Sequence, residues 1–350
     1  MRNQNTNKVL VGGVPIGGGS PVSVQSMTKT KTADHKATIA QIKRLEAVGC
    51  SIVRVTVNDN EAAEAMPIIV KNSNIPVVAD IHFNHVFAIK SIKAGVSKVR
   101  INPGNIGNED RIKEVLVKAK ERAIPIRIGI NSGSLEKDIL QRHGSPTAAA
   151  LFESAVRQIK ICEKYDFHDI VISVKSSNVK LMIEAYKYLS AETDYPLHLG
   201  VTEAGTIRSG TVKSAIGIGT LLAEGIGDTI RVSLTDDPER EVEIGKEILK
   251  SLNLIKDEIN LVVCPTCGRL EVDLLRIANE VEDKIRHIKK SLNVAILGCA
   301  VNGIGEATGA DIGIACGKGE GLLFVKGKIV RKIPEYKFIE TLLSEINNWE

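Results

Sequence analysis

The sequence predicts an α/β protein in which an N-terminal (β/α)8 barrel of the TIM type precedes a small α+β domain. Between residue 20 and about residue 250, short β-branched runs alternate with stretches of helical periodicity. Such continuous apolar runs, linked by helices, are typical of parallel strands covered on both faces. The runs number eight, which favours a closed barrel over a doubly wound open sheet of similar periodicity. Beyond about residue 262 a different pattern begins.

The predicted barrel strands are runs rich in branched aliphatic residues. They are Val22–Ser26, Ser51–Val57, Pro76–Asp80, Lys98–Ile101, Pro125–Ile130, Asp169–Val174, Leu197–Val201 and Thr229–Leu234. The segments between them carry apolar residues three or four positions apart, as in Ile39, Ile42 and Leu45, which is the spacing of one helix face. Ahead of the first strand, the alternation and glycine-rich turn of Lys8–Gly19 predict a hairpin that caps the bottom of the barrel.

The end of the barrel and the second domain follow from helix and strand patterns. Pro238 stands at a tolerated first-turn position of a helix that runs to about Ser251. We therefore predict a barrel domain over 1–251, a linker over 252–261 and a second domain over 262–350. The second domain's predicted strands are Val262–Val263, Val294–Leu297, Ile312–Ile314 and Leu322–Val325, its helices are Glu271–Leu292 and Ile339–Trp349, and Lys326–Lys328 forms a hairpin turn.

Composition excludes several classes of protein. Hydrophobic residues make up 43% and charged residues 25% of the chain, as in ordinary globular proteins. The chain has no apolar run of about 18 residues and residues 1–8 lack a signal-peptide core, so we expect a cytoplasmic protein without a membrane span. The net charge of +4 and the 3% aromatic content disfavour nucleic-acid binding, because base stacking needs aromatic side chains beside a basic groove.

Five cations lie inside or at the ends of otherwise apolar predicted strands. They are Arg54, Arg100, Arg127, Lys175 and Arg231. A buried cation is costly without a partner, and each of these could pair with a carboxylate such as Asp80 or Glu203. Together they outnumber the carboxylates of that rim, which favours a bound polyanion such as a diphosphate. Other polar residues at the strand ends, where barrel enzymes place their chemistry, are Asn102, Asn131, His198 and Ser233.

A glycine-rich stretch precedes the last predicted barrel strand, at Ile216–Thr220. Its backbone N–H groups would suit a phosphate if a helix began there. Its glycines would equally suit close packing between elements. The sequence leaves both interpretations open.

Three cysteines of the second domain indicate a metal centre. Cys264 and Cys267 form a C-x-x-C turn, and Cys299 stands in a glycine-rich loop of the same domain. Structural zinc is one interpretation and an iron–sulfur cluster is the other. The chain has no second C-x-x-C and no His pair beside these cysteines, which favours the cluster.

The fourth ligand and the remaining cysteines are less determined. Cys316 is the softest donor nearby, and Glu306 is the alternative. Thiolate chemistry alone favours Cys316. Cys50 precedes a strand and Cys162 lies on an apolar helix face, so both are predicted to be buried packing residues.

Six motifs along the chain carry a family resemblance. They are Val24–Thr28, Arg100–Asn105, Arg127–Gly133, Gly200–Gly205, Cys264–Arg269 and Gly298–Gly303. In combination they resemble the 4-hydroxy-3-methylbut-2-enyl diphosphate synthase family of the non-mevalonate isoprenoid pathway (the MEP pathway). The resemblance runs from about residue 8 to residue 330, and it matches the compact bacterial form that has no insertion between the two domains.

This resemblance implies an activity and a cofactor. The family is an iron–sulfur oxidoreductase that opens the ring of 2-C-methyl-D-erythritol 2,4-cyclodiphosphate with two electrons, releases water and forms an allylic diphosphate. It implies a [4Fe–4S] cluster held by Cys264, Cys267 and Cys299. Its fourth ligand falls on Glu306 rather than on Cys316, and the weaker oxygen ligand suits an iron that must bind substrate.

The resemblance also implies site residues and partners. It places Asn131, Ser233 and Glu203 at the substrate, with Glu203 a candidate for proton handling. Flavodoxin or ferredoxin would donate the electrons. The family forms a homodimer in which the cluster domain of one subunit covers the barrel of the other.

Two other functions fit parts of the pattern. One is a non-redox barrel enzyme similar to pteroate synthases, with a structural zinc domain. The other is a ligand- or RNA-binding protein whose cysteine domain only stabilises the fold. Iron and acid-labile sulfide analysis of anaerobically purified protein separates both from the synthase.

Overall fold

A computed structural model describes residues 6–256, 258–299 and 309–349. The chain divides into two compact units, Met1–Leu254 and Ile255–Glu350. The segment predicted as a linker, 252–261, is shorter in the structure, because its last residues already form a strand that begins at Ile259.

The first unit begins with a small antiparallel hairpin. Strands β1 (Val9–Val11) and β2 (Val14–Ile16) pair directly. Val9, Val11 and Ile16 are buried and pack in one cluster with Ile52, Val78 and Val171, which lie on three strands of the barrel. The hairpin therefore gives the barrel an apolar floor, as the alternation at Lys8–Gly19 predicted.

Eight parallel strands follow and form a nearly closed barrel. They are β3 (Ser23–Met27), β4 (Ile52–Thr56), β5 (Val77–Ile81), β6 (Lys98–Ile101), β7 (Ile126–Asn131), β8 (Ile170–Lys175), β9 (His198–Leu199) and β10 (Thr229–Ile230). The hydrogen-bonded order is β8-β7-β6-β5-β4-β3-β10-β9. An isolated parallel bridge between Ile172 and Leu197 connects the two ends of this order. The predicted (β/α)8 architecture is confirmed.

The barrel helices begin with capping side chains at most of their N-termini. They are α1 (His35–Ala47), α2 (Asn60–Lys71), α3 (His85–Lys93), α4 (Pro103–Ile106), α5 (Glu109–Glu121), α6 (Lys137–His143), α7 (Ala148–Lys164), α8 (Val179–Glu192), α9 (Ile207–Ala223) and α10 (Pro238–Ser251). Asp34, Asp59 and Asn108, for example, each accept a hydrogen bond from the backbone N–H three residues on. Such caps satisfy N–H groups that have no partner within the helix.

The glycine-rich stretch Ile216–Thr220 lies within α9 and not at a helix start. A Cβ atom on Gly217 would stand 2.8 Å from Met182 Cε and 2.9 Å from Val201 Cγ2. Gly217 therefore allows α9 to pack closely against α8 and the end of β9, which supports the packing interpretation over phosphate binding.

Two predicted packing cysteines lie in the core of the first unit. Cys50 is 3% exposed and Cys162 is 1% exposed. Burial raises the pKa of Cys50 to about 11 and that of Cys162 to about 12. Both thiols are therefore protonated near neutral pH and act as small apolar side chains.

In its described residues, the second unit is a mixed sheet with two α-helices. Its elements are β11 (Ile259–Val263), α11 (Leu274–Ile285), β12 (Leu292–Leu297), β13 (Ile312–Cys316), β14 (Glu320–Val325), β15 (Lys328–Pro334) and α12 (Phe338–Asn347). The strand order is β11-β12-β13-β14-β15. The first three strands are parallel, and β14 and β15 are antiparallel to their neighbours.

The structure corrects two features of this domain. The helix predicted over Glu271–Leu292 ends at Ile285, where the carbonyl of Ile285 accepts the N–H of Ile288 and closes a turn. Leu292 instead begins β12, opposite Ile259. The hairpin turn predicted at Lys326–Lys328 is confirmed, since β14 and β15 pair antiparallel on either side of it, with Val325 opposite Lys328. Strand β15 itself was not among the predicted strands; it is an edge strand whose side chains are exposed from Lys328 to Lys332.

Candidate active site

The C-terminal ends of the barrel strands surround a polar cavity of about 180 Å³. Seven of the nine predicted substrate-binding residues line it: Arg54, Arg100, Arg127, Asn131, Lys175, Arg231 and Ser233. Side chains alternate along a strand. Arg127, Gly129 and Asn131 follow one another at intervals of two residues, so Arg127 and Asn131 both face the barrel interior. Lining residues that we did not predict as ligands are Met27, Asp80, His82, Ser173 and Thr202.

Asp80 is the anionic centre of one side of the cavity. Its Oδ1 accepts a hydrogen bond of 3.0 Å from Arg100 Nη1, and its Oδ2 lies 3.4 Å from Arg54 Nε. Burial alone would raise the pKa of Asp80, but the Arg54 and Arg100 guanidiniums outweigh it and hold that pKa well below its usual range. The carboxylate is therefore ionised and fixes both arginines in the cavity wall.

Glu241 plays the corresponding part for Arg231. This carboxyl is 1% exposed, and its Oε2 lies 3.3 Å from Arg231 Nη2. It also accepts hydrogen bonds from the Ser26 hydroxyl, at 3.1 Å, and from the Leu234 backbone N–H, at 3.0 Å. Glu241 was not predicted as a site residue, because a glutamate in the first turn of a helix ordinarily reflects the helix dipole and not a buried ion pair.

Two cations of the cavity have no carboxylate partner. Among the described residues, no Asp or Glu oxygen lies within 4.0 Å of a charged nitrogen of Arg127 or Lys175. Arg127 is 1% exposed, and its Nε and Nη1 donate to no acceptor in the part of the chain that is described. The cavity thus carries an excess of buried positive charge, and a multiply charged anion is the ligand that would balance it.

Three predicted site residues lie beside the cavity rather than in its lining. Asn102 Nδ2 donates to Ser134 Oγ at 2.8 Å, so it supports the turn that follows β7. His198 is fully buried within the barrel. Glu203 is exposed, directly after the lining residue Thr202, with a φ of 51°. This left-handed conformation is unusual for a residue other than glycine and is found at functional sites.

The predicted cysteine ligands lie at one edge of the second unit's sheet. Cys264 follows β11 and Cys299 follows β12, and these neighbouring strands are parallel, so both loops leave the sheet at the same edge. The Gly298 N–H donates to Cys264 Sγ at 3.1 Å, a bond typical of iron-bound thiolates. Cys267 is exposed on the intervening turn, and Glu306 lies outside the described residues.

Three thiolates carried by two loops are a donor set that suits an iron–sulfur cluster. In the described ranges, no three His, Cys, Asp or Glu side chains are close enough together to hold one ion. A cluster holds its thiolates farther apart than one ion does, and two cysteine loops with a backbone N–H directed at sulfur suit that arrangement. Cys316, the other soft donor, is fully buried in the core between the sheet and the helices.

Comparisons with known proteins cover both units. The model of the GcpE TIM-barrel domain matches residues 6–246, and that of the GcpE protein C-terminal domain matches residues 260–348. The chain belongs to the GcpE family. Curated relatives named 4-hydroxy-3-methylbut-2-en-1-yl diphosphate synthase (flavodoxin) include a Clostridium acetobutylicum protein, 58% identical over 99% of this chain and 100% of its own length. A Geobacillus kaustophilus protein of the same name is 56% identical over 99% of this chain and 93% of its own. The resemblance inferred from the six motifs is confirmed.

Solved structures resemble this GcpE-family chain in fold alone. A dihydropteroate synthase from Xanthomonas albilineans superposes with a TM-score of 0.51 at 14% identity, covering 71% of this chain and 99% of its own. A sialic acid synthetase from Leptospira borgpetersenii gives 0.51 at 12% identity, covering 81% and 98%. The likeness to pteroate synthases therefore does not favour their activity here. In the described part of the chain, no helix has both the length and the apolar composition to cross a membrane.

Proposed function

We propose that this protein is a 4-hydroxy-3-methylbut-2-en-1-yl diphosphate synthase. It reduces 2-C-methyl-D-erythritol 2,4-cyclodiphosphate with two electrons, opens the ring and releases water. The observation that carries this proposal is the barrel cavity, whose five cations face only two buried carboxylates, Asp80 and Glu241, among the described residues. A cyclic diphosphate supplies the missing negative charge.

Each lining residue has a part in binding this substrate. Arg127 and Lys175, which have no carboxylate partner among the residues that the structure describes, contact the diphosphate most strongly, since their charge is otherwise unbalanced. Asp80 orients Arg54 and Arg100, and Glu241 orients Arg231, so these three arginines reach the ligand in fixed positions. Asn131 and Ser233 add neutral hydrogen bonds. Asn102 and His198 do not line the cavity, and they support the residues that do. Glu203, at the rim, donates or accepts a proton during the reaction.

Cys264, Cys267, Cys299 and Glu306 hold a [4Fe–4S] cluster in this proposal. The two parallel strand ends and the N–H to sulfur bond at Cys264 support the three thiolate assignments. When bound, the cluster supplies the electrons, and the names of the curated relatives support flavodoxin as their source. The grouping of cysteines as ligands rather than as disulfides supports a cytoplasmic location.

Metal analysis and turnover test the proposal together. Protein purified without oxygen should contain about four iron and about four sulfide per chain and should convert the cyclic diphosphate when reduced flavodoxin is supplied. Iron-loaded protein that leaves the substrate unchanged would contradict the activity. One zinc without sulfide would instead favour the non-redox barrel enzyme.

We also propose a homodimer in which the cluster domain of one subunit covers the barrel of the other. The outer face of α9 supports an interface between copies, because Val212 is 57% exposed and Ile216 is 52% exposed on that helix. Val212 and Ile216 are four residues apart and so lie on one face of α9, and contact with a second copy would cover both. Replacing Ile216 with Lys should therefore shift the mass measured by light scattering toward the monomer. Replacing Lys187, an exposed residue of α8, with Met serves as the control. An unchanged dimer in the Ile216 variant would exclude this face.

A further inference from the structure

A layer of buried polar side chains lies inside the barrel beneath the cavity. Gln25 and Lys98 each stand two residues before a cavity-lining residue of the same strand, and Thr229 stands two residues before the lining residue Arg231, which directly follows β10. All three therefore face the interior one step below the lining. With His198 they form what we call the lower layer, and all four are at most 1% exposed. Lys98 Nζ, both ring nitrogens of His198 and both amide atoms of Gln25 have no hydrogen-bond partner among the described residues.

Of the lower layer, Lys98 is the side chain whose burial costs the most free energy. It is fully buried and pairs in register with Val78, which belongs to the apolar floor. The charged groups that face it are cations: Arg127 from β7 and Arg54 from β4. The cavity carboxylate Asp80, on β5, is already engaged by Arg54 and Arg100.

The remaining titratable neighbours add no negative charge. His198 on β9 is fully buried, and this burial together with the positive charges of Arg127, Lys175 and Lys98 lowers its pKa. Burial first, and then the neighbouring Arg127 and Arg54, hold the pKa of Lys98 well below its ordinary value. An ammonium in these surroundings has nothing to compensate it until an anion enters the cavity.

We propose that Lys98 is a further anion-binding residue, which is a neutral amine in the anion-free barrel and takes up a proton when the diphosphate binds above it. The amine lone pair accepts the proton from solvent, and no covalent bond of the ligand changes. Lys98 does not line the cavity, so it acts through charge and not through contact. The proposal relies on the proposed function only for the identity of the anion.

Proton uptake on binding determines the direction in which ligand affinity changes with pH. Lys98 binds a proton more weakly in the free protein than in the complex, so binding takes up protons in the range between the two pKa values. Across that range affinity falls as pH rises. Each phosphorus of the cyclic diphosphate has one ionisable oxygen and lacks the second pKa near 6 of a phosphate monoester, so the ligand itself does not take up the proton.

Calorimetry in buffers of different ionisation enthalpy measures this uptake. The oxidised holoenzyme is titrated with the cyclic diphosphate, without reductant, near neutral pH. We expect net proton uptake by the wild type and an uptake lower by up to about one proton in Lys98→Met. Lys175 and His198 contribute equally to both proteins. The affinity of Lys98→Met should be about tenfold weaker, as for one unit of pKa. Lys93→Met, which removes an exposed lysine of α3, should match the wild type.

The thermal stability of the anion-free protein distinguishes an anion-binding role of Lys98 from a structural role. Removing an amine that has no partner should leave the thermal midpoint of the anion-free Lys98→Met protein unchanged or higher. Failure of that variant to fold, or a lower midpoint, would show that Lys98 supports the barrel and would overturn the proposal. Equal proton uptake by Lys98→Met and the wild type would overturn it as well, since the protonation state of Lys98 would then not change when the anion binds.

Sulfate, which is fully ionised near neutral pH, is titrated in parallel as a second anion. If sulfate binds and the cyclic diphosphate does not, the proposed substrate is wrong, and proton uptake with sulfate decides the role of Lys98. If neither anion binds, the cavity is not an anion site and both proposals fail.

Discussion

Replacing Arg127 with methionine is expected to weaken substrate binding strongly while leaving the barrel at least as stable as before. Arg127 is buried, lines the cavity and has no carboxylate partner among the described residues. A lost hydrogen bond to a charged ligand costs about 1.5–3 kcal/mol, which raises KM by about tenfold to about 150-fold. Because no carboxylate is left unpaired, the thermal midpoint should not fall. Steady-state kinetics, the visible spectrum of the cluster and thermal unfolding measure these effects.

Arg122 and Arg231 provide the comparisons for this variant. Arg122 is exposed at the end of α5, so Arg122→Met should leave KM, the spectrum and the thermal midpoint unchanged. Arg231→Met should also raise KM, but among the described residues it leaves the buried Glu241 carboxylate with only Lys29 Nζ, at 4.0 Å, as a cation partner. The weakened ion pair costs up to about 3 kcal/mol of folding stability. If Arg127→Met shows wild-type KM and kcat, Arg127 does not bind the substrate.

The barrel could be predicted from the sequence because its periodicity is local. Strands buried on both faces read as continuous apolar runs, and eight such runs lie between helical stretches of regular spacing. The edge strand β15 was indicated only by the predicted hairpin turn at Lys326–Lys328, since its own exposed residues from Lys328 to Lys332 carry no strict apolar alternation. The end of α11 was also missed. A local apolar pattern does not reveal that Leu292 pairs with Ile259, which is 33 residues away in the chain.

The cavity was predicted in part, because some of its residues can be recognised from local sequence. Cations at strand ends can be read from the chain, and seven of the nine predicted ligands line the cavity. Glu241 and Lys98 could not be recognised, because their importance depends on burial and on neighbours from other elements. Glu241 looks like an ordinary first-turn glutamate, and Lys98 looks like the polar start of a strand. Only the packed barrel shows that Glu241 carries a buried ion pair and that Lys98 has no hydrogen-bond partner in the described part of the chain.

Replacing Cys299 with serine is expected to abolish the iron–sulfur cluster, whereas the same change at Cys316 should retain it. Cys299 follows β12 at the sheet edge where Cys264 follows β11, so removing its thiolate leaves a proposed cluster without one of its ligands. Cys316 ends β13 and is 0% exposed, with its side chain in the core between the sheet and the helices. Iron and sulfide content, together with the visible absorption of anaerobically purified protein, measures the difference.

The thermal midpoint of the Cys316→Ser protein then shows whether Cys316 is a packing residue. A serine hydroxyl in this apolar core has to lose its water, which costs about 1–3 kcal/mol, so the thermal midpoint of Cys316→Ser should fall while its iron content stays at the wild-type level. Cys162→Ser is the matched control, because Cys162 is equally buried in the other unit and lies far from the proposed ligands in sequence; it should lose stability by a similar amount with its cluster intact. Loss of iron from Cys316→Ser but not from Cys162→Ser would make Cys316 a ligand. It would then remove Glu306 from the fourth position, because the proposal assigns the first three positions to Cys264, Cys267 and Cys299.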